Sequence, residues 1–84
     1  MLSSAVIEID LHGLRTDEAI RKVKNEVNKA PRSVYTIRVI HGYHGGTSIR
    51  SAIMDEFSYG RNDKVIRVKP GSNPGTTELV LREL

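Results

Sequence analysis

The spacing of hydrophobic positions changes from two residues to three or four early in the chain. Over residues 5–11, apolar side chains alternate with Glu8 and Asp10, which is the pattern of a half-buried strand. The next apolar positions have helical spacing: Ile20, Val23, Val27 and Ala30. We therefore predict a first strand followed by a first helix, with Thr16 as its N-cap and Pro31 as its stop.

The rest of the chain repeats this strand-helix order and then adds two strands. A β-branched run over residues 34–40 predicts the second strand. The second helix is expected to start near Thr47 or Ser48, and Gly60 is expected to close it. Its apolar stripe consists of Ile49, Ala52, Ile53 and Phe57. Residues 65–68 and 77–82 predict two final strands, joined by a turn-rich segment at residues 70–75. The order βαβαββ predicts an α/β (α+β) fold that forms one domain over residues 1–84.

The predicted topology brings two polar turns to one edge of the sheet. Strands joined through a helix are parallel, and the crossover is almost always right-handed. If the first two strands are neighbours, their carboxyl ends share an edge, where open α/β sheets usually bind ligands. Asp10, His12 and Gly13 end the first strand, and His41 with its glycines ends the second. We expect these two turns to form one site.

The second of these turns has a composition that suits an anion. Residues 41–46 read His-Gly-Tyr-His-Gly-Gly and lie between a predicted strand and a predicted helix. Bare backbone N–H groups at the positive end of a helix favour phosphate. Histidine side chains accept and donate protons near neutral pH. This loop therefore indicates phosphate binding or phosphate chemistry.

Composition narrows the class of protein only slightly. The chain has 84 residues and no cysteine, which excludes disulfides and thiolate metal ligands. The formal net charge of +3 is too small to indicate a polyanionic partner by itself. The start of the chain has no basic, signal-like segment, and no apolar run approaches the ~20 residues of a membrane span. We expect a cytoplasmic protein with no membrane partner.

Four short motifs, in order, resemble those of the Smr (small MutS-related) domain. Residues 10–13, Asp-Leu-His-Gly after an isoleucine, resemble the family's strand-ending Leu-Asp-Leu-His-Gly motif. Residues 41–46 resemble its His-Gly-x-Gly-x-Gly loop, although His44 replaces a glycine and the loop is one residue longer. Residues 49–50, Ile-Arg, resemble the Leu-Arg pair of the second helix, and residues 73–77 resemble the closing turn of short stand-alone members. The resemblance covers residues 6–82.

This resemblance implies a fold and a function. The fold is a two-layer sandwich of a mixed four-stranded sheet and two helices, like the C-terminal domain of translation initiation factor 3. Family members include nucleases that nick DNA or cleave RNA, some of them at stalled or collided ribosomes. We therefore predict a nucleic-acid-binding endonuclease whose partners are RNA or DNA and the ribosome. The alternative is a non-catalytic nucleic-acid- or ribosome-binding module. A small-phosphate binder ranks lower, because Gly-x-Gly-x-x-Gly and Walker spacings are absent.

Site residues fall into a catalytic and a binding group. The predicted catalytic residues are Asp10, His12 and His41. Asp10 would orient His12, bind a cation or cap the turn, and His12 would move a proton or bond loop carbonyls. His41 would be a second acid–base group, contact phosphate or hold the loop. The predicted phosphate- and nucleic-acid-binding residues are Gly42, Tyr43, His44, Gly45, Gly46, Arg50 and Asn73. Their structural alternatives are turn formation for the glycines and Asn73 and ordinary surface positions for the other side chains.

No cofactor or metal is predicted for the site itself. The spacing of its histidines matches no standard zinc signature, and magnesium would need more carboxylates than Asp10 alone. RNA could supply its own 2′-hydroxyl as the nucleophile and leave a 2′,3′-cyclic phosphate. DNA nicking would instead need an activated water, for which a divalent cation is the expected source.

Overall fold

The described part of the chain forms one mixed sheet and two helices. The computed structural model describes residues 5–42, 46–58 and 60–83. In chain order its elements are β1 (Val6–Asp10), α1 (Thr16–Lys29), β2 (Thr36–Ile40), α2 (Gly46–Phe57), β3 (Arg67–Pro70) and β4 (Thr76–Val80). The strand order is β1-β2-β4-β3; β1 and β2 are parallel, and β4 is antiparallel to both of its neighbours. The predicted βαβαββ order, the mixed four-stranded sheet and the α+β class are confirmed.

The predicted start of α1 is off by one residue. The N-cap is Arg15, whose backbone is extended, and Thr16 is already the first residue of the helix. The backbone N–H of Arg15 donates to the Glu18 carboxylate at 3.1 Å, which satisfies a donor at the helix start. Asp17 and Glu18 lie in the first turn, where the helix dipole stabilises negative charge.

The prediction for β3 is wrong by two residues at each end. Val65 is buried in the core before the strand begins, and the backbone N–H of Ile66 donates to the Val80 carbonyl at 2.7 Å. The ladder with β4 then runs from Arg67 to Pro70. Proline is tolerated there because β3 is an edge strand, so the missing N–H interrupts no second ladder. Strand pairing, and not the apolar run, sets these limits.

Both helices contribute to one core on one face of the sheet. The sheet contributes the buried residues Ile9, Ile37, Val39 and Leu79, and the helices contribute Ala19, Val23, Val27, Ile49, Ile53 and Phe57. Ala19 is buried although the predicted apolar stripe of α1 did not include it. Ile20 and Ala30, which the stripe did include, are only half-buried. No helix among the described residues is long and apolar enough to cross a membrane.

The opposite face of the sheet carries a row of alternating charges. Glu8, Arg38, Glu78 and Lys69 lie opposite one another on the four strands. Arg38 donates from Nη1 to Glu8 Oε2 at 2.9 Å and from Nε to Glu78 Oε2 at 3.1 Å. These two carboxylates, Glu8 first, raise the pKa of Arg38 above its ordinary value. Cross-strand pairs of opposite charge stabilise a sheet face that the helices leave open.

Candidate functional site

Three turns meet where β1 and β2 end. The backbone N–H of Leu11 donates to the Ile40 carbonyl at 2.7 Å, which continues the β1–β2 pairing beyond the strand. The N–H groups of His41 and Gly42 both donate to the Gly75 carbonyl, at 2.9 and 3.0 Å. This shared edge, formed by residues 10–13, residues 41–42 and the turn at residues 71–75, is called the carboxyl edge below.

The carboxyl edge brings the two predicted motifs into contact range. A Cβ atom built on Gly42 would lie 3.7 Å from the Cβ of His12. Gly42 has φ of +87°, a left-handed conformation that favours glycine. Helix α2 begins at Gly46, so its amino end belongs to the same region. Tyr43, His44 and Gly45 lie outside the described residues.

Asp10 and His12 form a closed pair at the end of β1. Asp10 Oδ1 contacts the backbone N–H of His12 at 3.0 Å and the ring Nδ1 of His12 at 2.7 Å. An ionised carboxylate only accepts hydrogen bonds, so the proton of this contact is on Nδ1. Nε2 is therefore the nitrogen left for a ligand. The His12 side chain is 74% exposed, so Nε2 can take or give a proton at the surface.

His12 changes the acidity of its partner. The side-chain hydrogen bond from His12 is the main reason that the pKa of Asp10 is lowered from 3.8. The backbone hydrogen bond from His12 lowers it further, desolvation opposes these effects, and the charge of His12 adds a smaller lowering. Because the pKa of Asp10 is lowered in the folded state, this pair stabilises the fold at pH values above the ordinary pKa of an aspartate. That stabilisation is lost as the pH falls through the lowered value.

We expect a carbon-detected NMR titration to show the Asp10 carboxyl midpoint below 3.8. In His12→Ala the midpoint should move up, because only the backbone hydrogen bond remains. Arg67→Ala, on the far edge strand, serves as the control variant and should leave the Asp10 midpoint unchanged. Identical Asp10 midpoints in the wild type and the variant would contradict the pair as described.

His41 lies inside the protein, with both ring nitrogens engaged. Its exposure is 2%, and Nδ1 donates to the Gly42 carbonyl at 3.1 Å. Nε2 lies 2.8 Å from the Thr77 hydroxyl. Of the two roles predicted for His41, this geometry matches the one that holds the loop, and it leaves no ring nitrogen free for a substrate. Thr77 was missed from sequence, because nothing near it in the chain marks a threonine that faces a core histidine.

The turn before β4 is a side-chain-supported structure. Asn73 Oδ1 accepts a hydrogen bond from the backbone N–H of Gly75 at 2.9 Å, and the Thr76 hydroxyl donates to the Asn73 carbonyl at 3.1 Å. Gly71 must be a glycine here, since an added Cβ would lie 2.8 Å from the Cβ of Thr76. Asn73 therefore shapes the turn, which was its predicted structural alternative.

Two cavities flank this turn. One, of about 310 Å³, lies on the open sheet face and is lined by Glu8, Arg38, Gly42 and Asn73 among others. The other, of about 370 Å³, is lined by Arg50 and by residues 70–74 and 76. Arg50 is exposed, one turn into α2, and no carboxylate lies within 4 Å of it among the described residues. Its charge is thus available at the carboxyl edge.

The described residues contain no group of three or more His, Asp or Glu side chains that could hold a metal ion. Asp10 and His12 bond to each other, and His41 bonds to the loop and to Thr77. The expectation of no resident metal remains a prediction.

Comparisons with known proteins agree with this geometry. The family model of the Smr domain matches residues 9–73, which include both histidine-containing turns. The structure is similar to the crystal structure of the Smr domain of Thermus thermophilus MutS2, with a TM-score of 0.76 and 28% sequence identity, over 92% of this chain and 99% of that chain. Among curated proteins no significant match is found. The chain belongs to the Smr domain family, whose members are nucleic-acid-binding and sometimes nuclease domains.

Proposed function

We propose that this domain binds nucleic acid at the carboxyl edge and cleaves it as an endonuclease. One observation carries the proposal: Asp10 fixes the tautomer of an exposed His12 beside Gly42, at the edge where α2 begins. An oriented imidazole near the free N–H groups of a helix start is an arrangement that supports phosphodiester cleavage. RNA is the favoured substrate, because its 2′-hydroxyl can serve as the nucleophile.

In this proposal the scissile phosphate lies between Gly42, the amino end of α2 and Arg50. The free backbone N–H groups at the amino end of α2 and the guanidinium of Arg50 stabilise the charge that develops on the phosphate oxygens, while Gly42, whose own N–H is bonded to the Gly75 carbonyl, allows the strand to approach closely. His12 Nε2 removes the proton from the 2′-hydroxyl, whose oxygen forms a bond to phosphorus. The bond from phosphorus to the 5′-oxygen breaks, and that oxygen takes a proton from water or from the imidazolium. The products are a 2′,3′-cyclic phosphate and a 5′-hydroxyl.

The other predicted residues have supporting roles. His41 holds the loop through the Gly42 carbonyl, and Asn73 shapes the neighbouring wall. From the sequence alone, we propose that Gly45 and Gly46 supply backbone donors and that Tyr43 and His44 contact the bound strand. DNA nicking would need a water activated by a divalent cation, as in other metal-assisted phosphodiester hydrolysis.

A second candidate is a module that binds nucleic acid or a ribosomal surface without chemistry. The burial of His41 favours this candidate. Cleavage by a general base and a general acid commonly uses two accessible proton-transfer groups, and His41 is not accessible. Among the described residues, His12 is the one histidine with a ring nitrogen open to solvent.

Replacement of Arg50 by alanine tests the binding site shared by both candidates. We expect weaker binding of fluorescein-labelled single-stranded RNA, measured by anisotropy at several salt concentrations. The slope of log K against log salt should fall by ~0.7, the value for one lost phosphate contact on a single strand. Arg67→Ala is the matched control. Arg67 lies on the edge strand β3, and its charge is already paired with Glu83.

Two outcomes would count against the proposal in different ways. Absence of wild-type binding to RNA and DNA at low salt would overturn nucleic-acid recognition altogether. An unchanged salt slope in Arg50→Ala would show that Arg50 does not contact a phosphate, and it would not bear on the role of His12.

A further inference from the structure

We infer a second anion-binding site at the end of the sheet opposite the carboxyl edge, where it holds a backbone phosphate of the same nucleic acid. The site is a cavity of about 300 Å³ whose charged lining consists of Arg32, Asp63, Lys64 and Arg82. It is called the distal cavity below. This inference rests on the proposed binding of nucleic acid and extends its footprint.

The cations of the distal cavity form no ion pair in the described part of the chain. Six cations have a carboxylate within 4 Å: Arg15, Lys24, Lys29, Arg38, Arg67 and Lys69. Arg32, Lys64 and Arg82 have none among residues 5–42, 46–58 and 60–83. No direct ion pair therefore neutralises their positive charge.

Backbone carbonyls orient two of these side chains. Arg82 Nε donates to the Arg32 carbonyl at 2.7 Å, and Lys64 Nζ lies 3.5 Å from the carbonyl of Asn28 near the end of α1. A carbonyl fixes the side chain without neutralising it, so the terminal guanidinium nitrogens of Arg82 remain available. Guanidinium groups bind phosphate through two parallel hydrogen bonds.

The balance of charge around the distal cavity favours an anion. Three cations face one acid, Asp63, and the remaining walls are the apolar side chains of Val27, Ala30 and Leu81. A phosphate that enters this cavity would thus meet a net positive surface.

Strand geometry sets the distance between the two sites. Beside the distal cavity, the N–H groups of Leu81 and Arg82 donate to the Tyr35 carbonyl. At the carboxyl edge, the N–H groups of His41 and Gly42 donate to the Gly75 carbonyl. Tyr35 and His41 are six residues apart on β2 and its extensions, which corresponds to roughly 20 Å at ~3.3 Å per residue. At the rise of ~3.4 Å per nucleotide of a stacked strand, that span corresponds to about six phosphates. A trinucleotide cannot reach both sites, but a strand of sixteen nucleotides can.

An acidic protein segment could also meet such a cavity. Nucleic acid is favoured because the family binds nucleic acid and because both sites belong to one short domain. A chain with regularly spaced charges can then occupy the carboxyl edge and the distal cavity together.

The test compares two strand lengths in two matched double variants. Lys64→Gln with Arg82→Gln removes two distal charges, and Lys69→Gln with Arg67→Gln removes an equivalent pair that carboxylates already neutralise. Anisotropy of uncleavable 2′-O-methyl RNA should show weaker binding of the 16-mer to the distal variant, with a salt slope lower by about 1.4 for two lost contacts. Binding of the trinucleotide should be unchanged, and the control variant should match the wild type. Thermal unfolding checks that each variant is folded.

The outcomes separate this inference from the proposed function. Equal 16-mer affinities and salt slopes in the distal variant and the wild type would overturn the distal site and leave the carboxyl edge intact. Failure of the wild type to bind either strand would overturn both. Polyglutamate and polyphosphate of equal charge are compared as competitors of the 16-mer. Equally effective displacement from the distal site by polyglutamate would indicate that its ligand is an acidic protein and not nucleic acid.

Discussion

His12→Ala is expected to lower the rate of RNA cleavage about 10²- to 10⁴-fold, the usual contribution of a positioned general acid or base. His12 presents the only exposed imidazole nitrogen among the described residues, and Asp10 fixes which nitrogen that is. The substitution removes proton transfer but leaves Gly42, α2 and Arg50 in place. Single-turnover cleavage of end-labelled RNA at saturating protein measures the effect on the chemical step, while anisotropy should show little change in binding.

Companion variants give this experiment its controls. Asp10→Asn should also slow cleavage, because an amide can donate to Nδ1 and so favour the tautomer with the proton on Nε2. Arg67→Gln should cleave like the wild type. Equal activity in the wild type, Asp10→Ala and His12→Ala would mean that a contaminating nuclease is being measured, and the catalytic assignment would lose its basis. Supercoiled DNA, with and without chelator, tests the metal-assisted route.

Phe57→Ala is expected to reduce the free energy of unfolding by about 3–5 kcal/mol, the usual cost of truncating a buried phenylalanine. Phe57 is the only phenylalanine in the sequence, and it is the largest of the fully buried side chains among the described residues. Domains of this kind are stable by only ~5–15 kcal/mol, so the loss is a large share of the total. Urea unfolding followed by circular dichroism gives the free energy directly.

The same helix supplies a matched control. Met54 lies one turn before Phe57 and is 38% exposed, so Met54→Ala should cost much less. Loss of Phe57 should also weaken nucleic-acid binding, because α2 carries Arg50 and begins at the carboxyl edge. A midpoint shift in Phe57→Ala no larger than that of Met54→Ala would show that the core is not organised around this side chain.

Local periodicity predicts the elements of this chain but not all of their limits. The stripes of α1 and α2 mark the helices because side chains three and four apart share a face. The start of β3 is set by its ladder with β4, and the sequence of residues 65–70 contains no trace of that pairing. Val65 is apolar and β-branched, yet it serves the core and not the strand.

The site shows the same division between local and distant contacts. The Asp10–His12 pair was predictable because its members are two residues apart, and the meeting of the two turns was predictable because a β-α-β crossover leaves parallel strand ends together. The contact between His41 and Thr77 joins residues 36 apart, and the distal cavity collects cations from three separate segments. Such contacts exist only after the sheet has formed, so no spacing rule indicates them.

Chemical-shift mapping with an uncleavable 2′-O-methyl trinucleotide tests most directly whether the carboxyl edge holds nucleic acid. Titration into ¹⁵N-labelled protein should shift the backbone amides of His12, Gly13, Gly42 and Gly75 most strongly, and the amide of Arg67 on the far edge strand should stay in place. Saturable shifts on β3 and the distal cavity, with these four amides unmoved, would contradict the account.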